Sequence, residues 1–154
     1  MTNTDVIRAQ QRVDHLFRRT RLVSDDIEIQ SHWARYLCVV VSGFLESSVR
    51  NLYASYGRRR ASPQIAKFVD SQLKFFQNPK TEKILELAHS FDSAWEAELR
   101  AAAEGEPKDA IDSIVANRNN IAHGESVGIT FVRIRRYYES SLAILELIDR
   151  QCTR

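Results

Sequence analysis

The feature that most constrains the fold of this chain is a helical spacing of apolar residues along most of its length. Apolar side chains recur about every 3.6 residues, and no stretch shows the alternation of period two that is typical of a strand. The few glycines and prolines lie mostly where these periodic stretches begin or end. The sequence therefore predicts an all-α bundle of about five or six helices. They are expected near residues 3–21, 25–56, 63–77, 79–103, 107–123 and 130–152.

Capping residues define most of the predicted helix ends. Ser62 and Asn78 each precede a proline, and each pair is typical of an N-cap followed by proline in the first helical turn. Pro107 opens a further helix in the same way. Asp25 and Glu28 have the spacing of a capping box at the start of the long second helix. Three glycines are expected to close helices in the left-handed conformation: Gly57, Gly105 and Gly124.

Length and composition indicate one globular domain that spans residues 1–154. Of these residues 44% are hydrophobic and 27% are charged, a balance that suits a folded chain with a core. The N-terminal helix is expected to pack on a core built by residues 25–152. The formal net charge is only +2, so no general positive field coats the surface. Any contact with nucleic acid must therefore be local.

Three features favour a soluble, cytoplasmic protein. The first residues, MTNTDVIRAQQRVDH, mix charges of both signs and lack the apolar run of a signal peptide. The longest uncharged apolar stretch, from Tyr36 to Leu45, has about half the length of a bilayer crossing. Cys38 and Cys152 form no C-x-x-C pair and no disulfide framework. We expect reduced thiols and no membrane partner.

The long second helix has two distinct faces. One stripe predicts the core and comprises Trp33, Leu37, Val40, Val41, Phe44, Ser48 and Leu52. The other face mixes small, apolar and charged groups and comprises Tyr36, Val39, Gly43, Glu46, Ser47 and Arg50. A glycine inside a helix costs about 1 kcal/mol relative to alanine, so Gly43 predicts a close backbone approach. A second helix or a second subunit would supply it.

The most specific segment runs from Asp112 to Gly124 and reads DSIVANRNNIAHG. A helical projection forms one apolar stripe from Ile111, Ile114, Val115 and Ala122. Arg118 lies near the middle of that stripe, and an unpaired buried charge is costly, so it must meet a carboxylate, a phosphate or a water-filled cleft. His123 lies about 140° around the helix from Arg118. It occupies the last turn, where looser geometry allows both side chains to reach one cleft.

The run Arg118-Asn119-x-x-x-His123 resembles the R-x4-6-H motif of the HEPN superfamily, in which a polar residue follows the arginine. Three further features resemble its RiboL-PSP-HEPN branch: the string ANRNNIAHG, the GFLE run at 43–46 and the helix with the Tyr137-Tyr138 pair. The resemblance spans about residues 30 to 150 and is densest at 111–124.

The resemblance implies a helical homodimer in which two such motifs face one composite cleft and cleave RNA without a metal ion or cofactor. Arg118 would hold the scissile phosphate, His123 would transfer protons, and Asn119 would be the polar residue of this catalytic motif. Attack by the ribose 2′-OH would leave a 2′,3′-cyclic phosphate, and DNA would be spared. Such an endoribonuclease is typically a toxin or defence effector. Its partners would be RNA, a second copy, and an antitoxin or regulatory protein.

Other interpretations of the same residues stay open. Arg118 can form a structural bridge to a carboxylate while His123 caps its helix. The superfamily also includes noncatalytic modules that bind nucleotide, RNA or a protein partner. In some HEPN toxins a partner nucleotidyltransferase modifies a tyrosine two residues after the histidine. Glu125 occupies that position here, so this form of regulation is not expected.

Two groups of charged residues are candidates for supporting roles. Glu46 and Arg50 are one helical turn apart and form either a plain surface pair or a support for Arg118 or His123 at the rim of the cleft. An arginine cluster directly after the motif loop is expected to follow the RNA phosphates. It comprises Arg133, Arg135 and Arg136. Two other clusters, at 18–21 and 58–60, are more typical of solvated helix ends.

A metal site is not expected. His89, Asp92 and Glu96 are metal-ligand types at helical spacing. A protein metal site needs three or more ligands in one place, and no second cluster in the sequence completes this set. The sequence also lacks a glycine-rich phosphate loop and a G-x-S-x-G elbow, which disfavours a nucleoside triphosphatase or a serine hydrolase.

Overall fold

The computed structural model describes residues 1–20 and 25–154, and this part of the chain contains seven helices and no strand. In chain order they are α1 (Thr4–Thr20), α2 (Ile27–Arg60), α3 (Pro63–Leu73), α4 (Thr81–Phe91), α5 (Ser93–Ala103), α6 (Glu106–Ala122) and α7 (Phe131–Thr153). The predicted all-α class is confirmed. Arg21, the expected last residue of the first helix, lies outside the described residues.

Helix α2 is the centre of the bundle. Its 34 residues span about 51 Å, and it packs against α1, α3, α6 and α7. Most of the predicted core stripe is buried, whereas Trp33 and Val40 are only half-buried. Helix α7 packs against α2, α5 and α6, so the core forms around the two longest helices.

Aromatic rings join α1, α2 and α7 at one level of the bundle. The ring of Phe17 stacks on Tyr138 with centroids 5.2 Å apart, and Phe44 meets the same tyrosine edge-on at 5.8 Å. The Tyr138 hydroxyl donates a 2.7 Å hydrogen bond to Asp14 of α1. Burial and this carboxylate raise the pKa of Tyr138, so it stays a neutral donor. The N-terminal helix is thus fixed to the rest of the bundle.

The expectation of one helix over residues 79–103 is wrong, because the helix is interrupted at Asp92. This residue has an extended backbone, with φ −161° and ψ 124°. Its carboxylate accepts a 2.7 Å hydrogen bond from the Ala94 amide and caps α5. An aspartate that bonds to the backbone in this way competes with a continuous helix, and this explains the seventh helix.

The segment between α3 and α4 also departs from the prediction. Helix α3 ends at Leu73 rather than at residue 77. Asn78 was predicted to be an N-cap, but it has a left-handed φ of 52°, and α4 begins only at Thr81. The Asn78 amide donates a 3.0 Å hydrogen bond to Glu46 of α2. This tertiary contact holds the turn, and no local signal in the sequence reveals it. The N-cap at Ser62 is confirmed.

Two other helix ends also differ from the prediction. The N-cap of α2 is Asp26 rather than Asp25, and it accepts a 2.8 Å hydrogen bond from the Glu28 amide. Gly57 does not end α2, which continues to Arg60. A Cβ atom at Gly57 would lie 3.3 Å from the side chain of Val69, so this glycine allows α3 to approach closely.

Gly124 follows the end of α6 with a positive φ of 75°, as predicted. Gly105 has a φ of 83° but a ψ of −130°, and it is the N-cap of α6 rather than the predicted left-handed C-cap. Within the described ranges no helix is both long enough and apolar enough to cross a membrane. Both cysteines are buried and unpaired, and burial raises the pKa of each thiol to about 12.

Candidate active site

The direction in which α6 runs along α2 determines where Arg118 and His123 lie in the bundle. At its first residue, Glu106 accepts a 2.7 Å hydrogen bond from Arg136 of α7. Tyr138 lies half a turn further along α7 and packs on Phe44 of α2. Helix α6 therefore begins at the level of Phe44.

Two turns later, α6 passes an earlier part of α2. The thiol of Cys38 donates a 3.5 Å hydrogen bond to the carbonyl oxygen of Ile114. Because α6 goes from the level of Phe44 to the level of Cys38, it runs antiparallel to α2. Arg118 lies one turn beyond Ile114, at the level of the N-terminal third of α2.

Arg118 has a neutral partner. Its side chain is half-buried, and its Nη1 donates a 3.1 Å hydrogen bond to Oδ1 of Asn119. None of the ion pairs formed by residues 1–20 and 25–154 includes Arg118. The structural bridge that the sequence left open therefore does not form among these residues. The positive charge of the guanidinium is therefore not neutralised by a described carboxylate, and its hydrogen bond to Asn119 orients it.

His123 is the C-cap of α6. Its backbone amide donates a 3.0 Å hydrogen bond to the carbonyl oxygen of Asn119, and Gly124 then turns the chain away from the helix. The imidazole is exposed and makes no hydrogen bond with any described side chain or carbonyl. Buried Val127 and Ile129 anchor the loop that follows. His123 is thus held by its backbone, while its ring remains accessible.

The end of α6 differs from the predicted apolar stripe. Ile111, Ile114 and Val115 are fully buried, as expected. Ala122 is exposed, and half-buried Ile121 packs on the core instead. The helix ends beside Ala122, so the ideal projection overestimates how far the buried stripe extends.

The sequence analysis missed Arg35 of α2. The residue is half-buried, its Nε is shielded from solvent, and no described group accepts a hydrogen bond from that atom. A signal was present in the sequence, because the arginine interrupts the apolar run WARYL. Arg35 belongs to no recognisable motif spacing, so the sequence pattern alone does not mark it as functional.

A comparison with known families identifies the family of this chain. The family model named RiboL-PSP-HEPN matches residues 5–154, which is nearly the whole chain. The chain belongs to the RiboL-PSP-HEPN family. HEPN domains are helical and include nucleases and nucleotide-binding modules, and membership assigns this chain to that group. No curated protein and no solved structure matched the chain.

Glu46 lies in the GFLE run that resembles the RiboL-PSP-HEPN branch, and it forms the plain pair with Arg50. The Nη2 of Arg50 lies 3.0 Å from Oε1 of Glu46, and the second carboxylate oxygen accepts the Asn78 amide. Within the described chain Glu46 makes no hydrogen bond to Arg118 or His123. Both of its oxygens are already occupied by groups at the α3–α4 turn and on α2.

The three arginines after the motif loop are not equivalent. Nε of Arg135 lies 2.9 Å from Glu139, and Nε of Arg136 lies 2.7 Å from Glu106. Arg133 is exposed and has no ion pair in the described part of the chain. Exposed pairs contribute about 0 to 1 kcal/mol, so a phosphate can displace either carboxylate. The predicted RNA-tracking role thus has its most available charge at Arg133.

The side chains with metal-ligand chemistry are engaged elsewhere. Nδ1 of His89 lies 3.1 Å from Glu96, which also pairs with Arg100, while Asp92 caps α5. The described residues contain no cluster of three or more His, Cys, Asp or Glu side chains that is suited to a metal ion.

Much of the second face of α2 is open in this chain. Tyr36 is 49% exposed and Val39 is 40% exposed, and Ile29, two to three turns earlier, is also exposed. No atom of the described chain lies within 4 Å of a Cβ built on Gly43. The close approach predicted for this glycine is therefore not made within residues 1–20 and 25–154.

Proposed function

We propose that this RiboL-PSP-HEPN protein is a metal-independent endoribonuclease, a cytoplasmic toxin or defence effector restrained by an antitoxin or other regulatory protein. The observation that carries the proposal is the state of Arg118, half-buried with a neutral amide as its hydrogen-bond partner and no ion pair among the described residues. A phosphate matches the planar fork of such a guanidinium. The accessible imidazole of His123 supplies the proton transfer that RNA cleavage needs.

The reaction follows from these two side chains and the ribose. One His123 removes the proton of the 2′-OH, and the resulting oxygen attacks the neighbouring phosphorus. The bond to the 5′-oxygen of the next nucleotide breaks, and His123 of the partner subunit donates a proton to that oxygen. Arg118 stabilises the charge that develops on the non-bridging oxygens. The products are a 2′,3′-cyclic phosphate and a 5′-hydroxyl, and no metal ion or cofactor enters the balance.

The open face of α2 supports the homodimer in this proposal. Tyr36 and Val39 are large, partly apolar side chains, and Gly43 between them and the Glu46–Arg50 pair offers room for a close backbone contact. Arg118 lies at the level of the N-terminal third of the same helix. A second copy that covers this face would bring two Arg118–His123 sets toward one cleft.

The deciding experiment is an RNA cleavage assay in excess EDTA, followed by analysis of the ends. We expect cleavage of single-stranded RNA with 2′,3′-cyclic phosphate ends, and no cleavage of the same sequence as DNA. A requirement for Mg²⁺, or products with 5′-phosphate ends, would contradict the mechanism. RNA or nucleotide binding without any cleavage would instead identify a noncatalytic HEPN module.

A further inference from the structure

Arg35 has an unusual state for a charged side chain. Its Nε is shielded from solvent and has no hydrogen-bond acceptor, and none of the ion pairs in the described chain includes this residue. Burying a charged donor without a partner is costly, and native proteins normally compensate such groups. The Nε donor thus lacks an acceptor among residues 1–20 and 25–154, and the half-buried guanidinium has no carboxylate partner there.

The fold places Arg35 near the motif. Arg35 precedes Cys38 by three residues, a shift of about 4.5 Å along α2, and Arg118 follows Ile114 by four residues, about 6 Å along α6. The two helices are antiparallel and meet at the Cys38–Ile114 hydrogen bond, so both shifts are in the same direction. Both residues thus lie on the same side of that contact along the helix axes.

Three carboxylates of the two helices have partners of their own. On α2, Glu46 binds Arg50, and on α6, Asp112 accepts a 2.8 Å hydrogen bond from the Thr81 amide. Glu106 is held by Arg136 at the far end of α6. Each of these three carboxylates is thus engaged away from Arg35 and Arg118.

We infer that Arg35 and Arg118 form one anion site that binds two successive phosphates of a single RNA strand. Arg118 takes the scissile phosphate and Arg35 the neighbouring one. The identification of the ligand as RNA rests on the proposed function, whereas the two-arginine anion site rests on the geometry alone. Arg35 is a binding and positioning residue in this arrangement and takes no part in proton transfer.

The test compares Arg35→Met, Arg35→Lys and the exposed control Arg12→Met for binding to a 2′-O-methyl RNA oligonucleotide, which lacks the attacking hydroxyl. Affinity is measured between low and moderate salt. Arg35→Met should weaken binding about tenfold or more and lower the slope of log K against log salt by about 0.7, the share of one phosphate on a single strand. Arg35→Lys should keep the slope but lose part of the affinity, because lysine lacks the fork. Arg12→Met should bind like the wild type.

A second readout separates binding from a structural role. Removing an uncompensated buried donor should leave the melting temperature of Arg35→Met unchanged or raise it. Unchanged affinity and slope in this variant would overturn the inference. So would a marked loss of melting temperature, or a shift toward monomers with unchanged RNA affinity, since either result assigns Arg35 to the fold or to the subunit contact.

The outcomes also distinguish this inference from the proposed function. A protein that never cleaves RNA but needs Arg35 to bind the oligonucleotide would keep the anion site and remove the endoribonuclease. A protein that cleaves RNA and binds equally well with methionine at position 35 would do the reverse.

Discussion

Two charged regions of this chain, the α4–α5 hairpin and the end of α6, differ in whether their charged side chains have ion-pair partners within the chain. In the hairpin Arg100 bonds to Glu96 at 2.9 Å and to Glu82 at 3.3 Å, and Glu82 also binds Lys108. His89 contacts the second oxygen of Glu96. Each of these side chains has an ion-pair or hydrogen-bond partner within the described chain.

At the end of α6, charged and titratable side chains lack such partners within the described chain. Arg118 is held only by an amide, Arg35 has a shielded nitrogen with no acceptor, and His123 has an exposed ring with no partner in the described chain. Charges of the first kind form exposed or partly exposed pairs at a surface, whereas the second set is the one that we propose binds an anion. The contrast distinguishes the candidate site better than the number of charges does.

The largest expected effect is that of His123→Ala on cleavage. Loss of the proton-transfer group should lower the cleavage rate by about 10²- to 10⁴-fold, while RNA affinity changes little, because the role is expressed in the transition state. Cleavage rate and affinity for 2′-O-methyl RNA are measured on the same preparation. Wild-type cleavage by a folded His123→Ala protein would remove the catalytic assignment.

Arg118→Ala should affect binding and cleavage together. The guanidinium contacts the phosphate in the ground state and in the transition state, so affinity should fall about tenfold or more and the cleavage rate further. The melting temperature should change little, because no described carboxylate loses its partner. A large fall in melting temperature with intact cleavage would place Arg118 among the braced charges of the first region.

Gly43→Glu tests whether the open face of α2 belongs to the site. Gly43 is exposed, and a Cβ atom there would meet nothing beyond its own helix in the described chain, so the subunit should fold normally. If a second copy covers this face, the buried carboxylate should shift light scattering from dimer toward monomer and reduce cleavage with it. Full cleavage by a monomeric variant would show that one subunit suffices.

The smallest effect is expected in the paired region, for Arg100→Ala. Hydrogen bonds and charge from Arg100 hold the pKa values of Glu82 and Glu96 below their ordinary value of 4.5. A carboxylate with a lowered folded pKa stabilises the fold above its unfolded pKa, and this contribution disappears as the pH falls through the folded value. The variant should therefore melt slightly lower at neutral pH and converge with the wild type in acid, with RNA cleavage unchanged. An equal deficit at all pH values would indicate lost packing instead.

The sequence predicted the elements whose signals are local. The period of the apolar residues predicted the helical class, and Ser62 and Gly124 act as the predicted caps. The break at Asp92 was missed because an aspartate also fits the exposed face of a continuous helix. The end of α3 depends on the distant Glu46–Asn78 contact, which the local sequence does not reveal.

The motif residues could be named from the sequence, but their state could not. Whether Arg118 meets a carboxylate depends on which elements lie beside α6, and that is decided by tertiary packing. Arg35 carries no motif, and its significance arises only because α2 and α6 are antiparallel at Cys38. The roles of Glu46, Arg50, Arg133, Arg135 and Arg136 at a cleft stay predictions.

The Cys38 thiol lies at the contact between α2 and α6, called here the α2–α6 seam, and its reactivity reports on that contact. Because burial raises its pKa to about 12, almost no thiolate exists at neutral pH, and a reagent can reach the sulfur only when the seam opens. Its labelling rate thus measures how often the two helices separate. An oligonucleotide anchored across both helices would close that opening, so protection of one thiol would register occupancy of the neighbouring arginines without any label on the RNA.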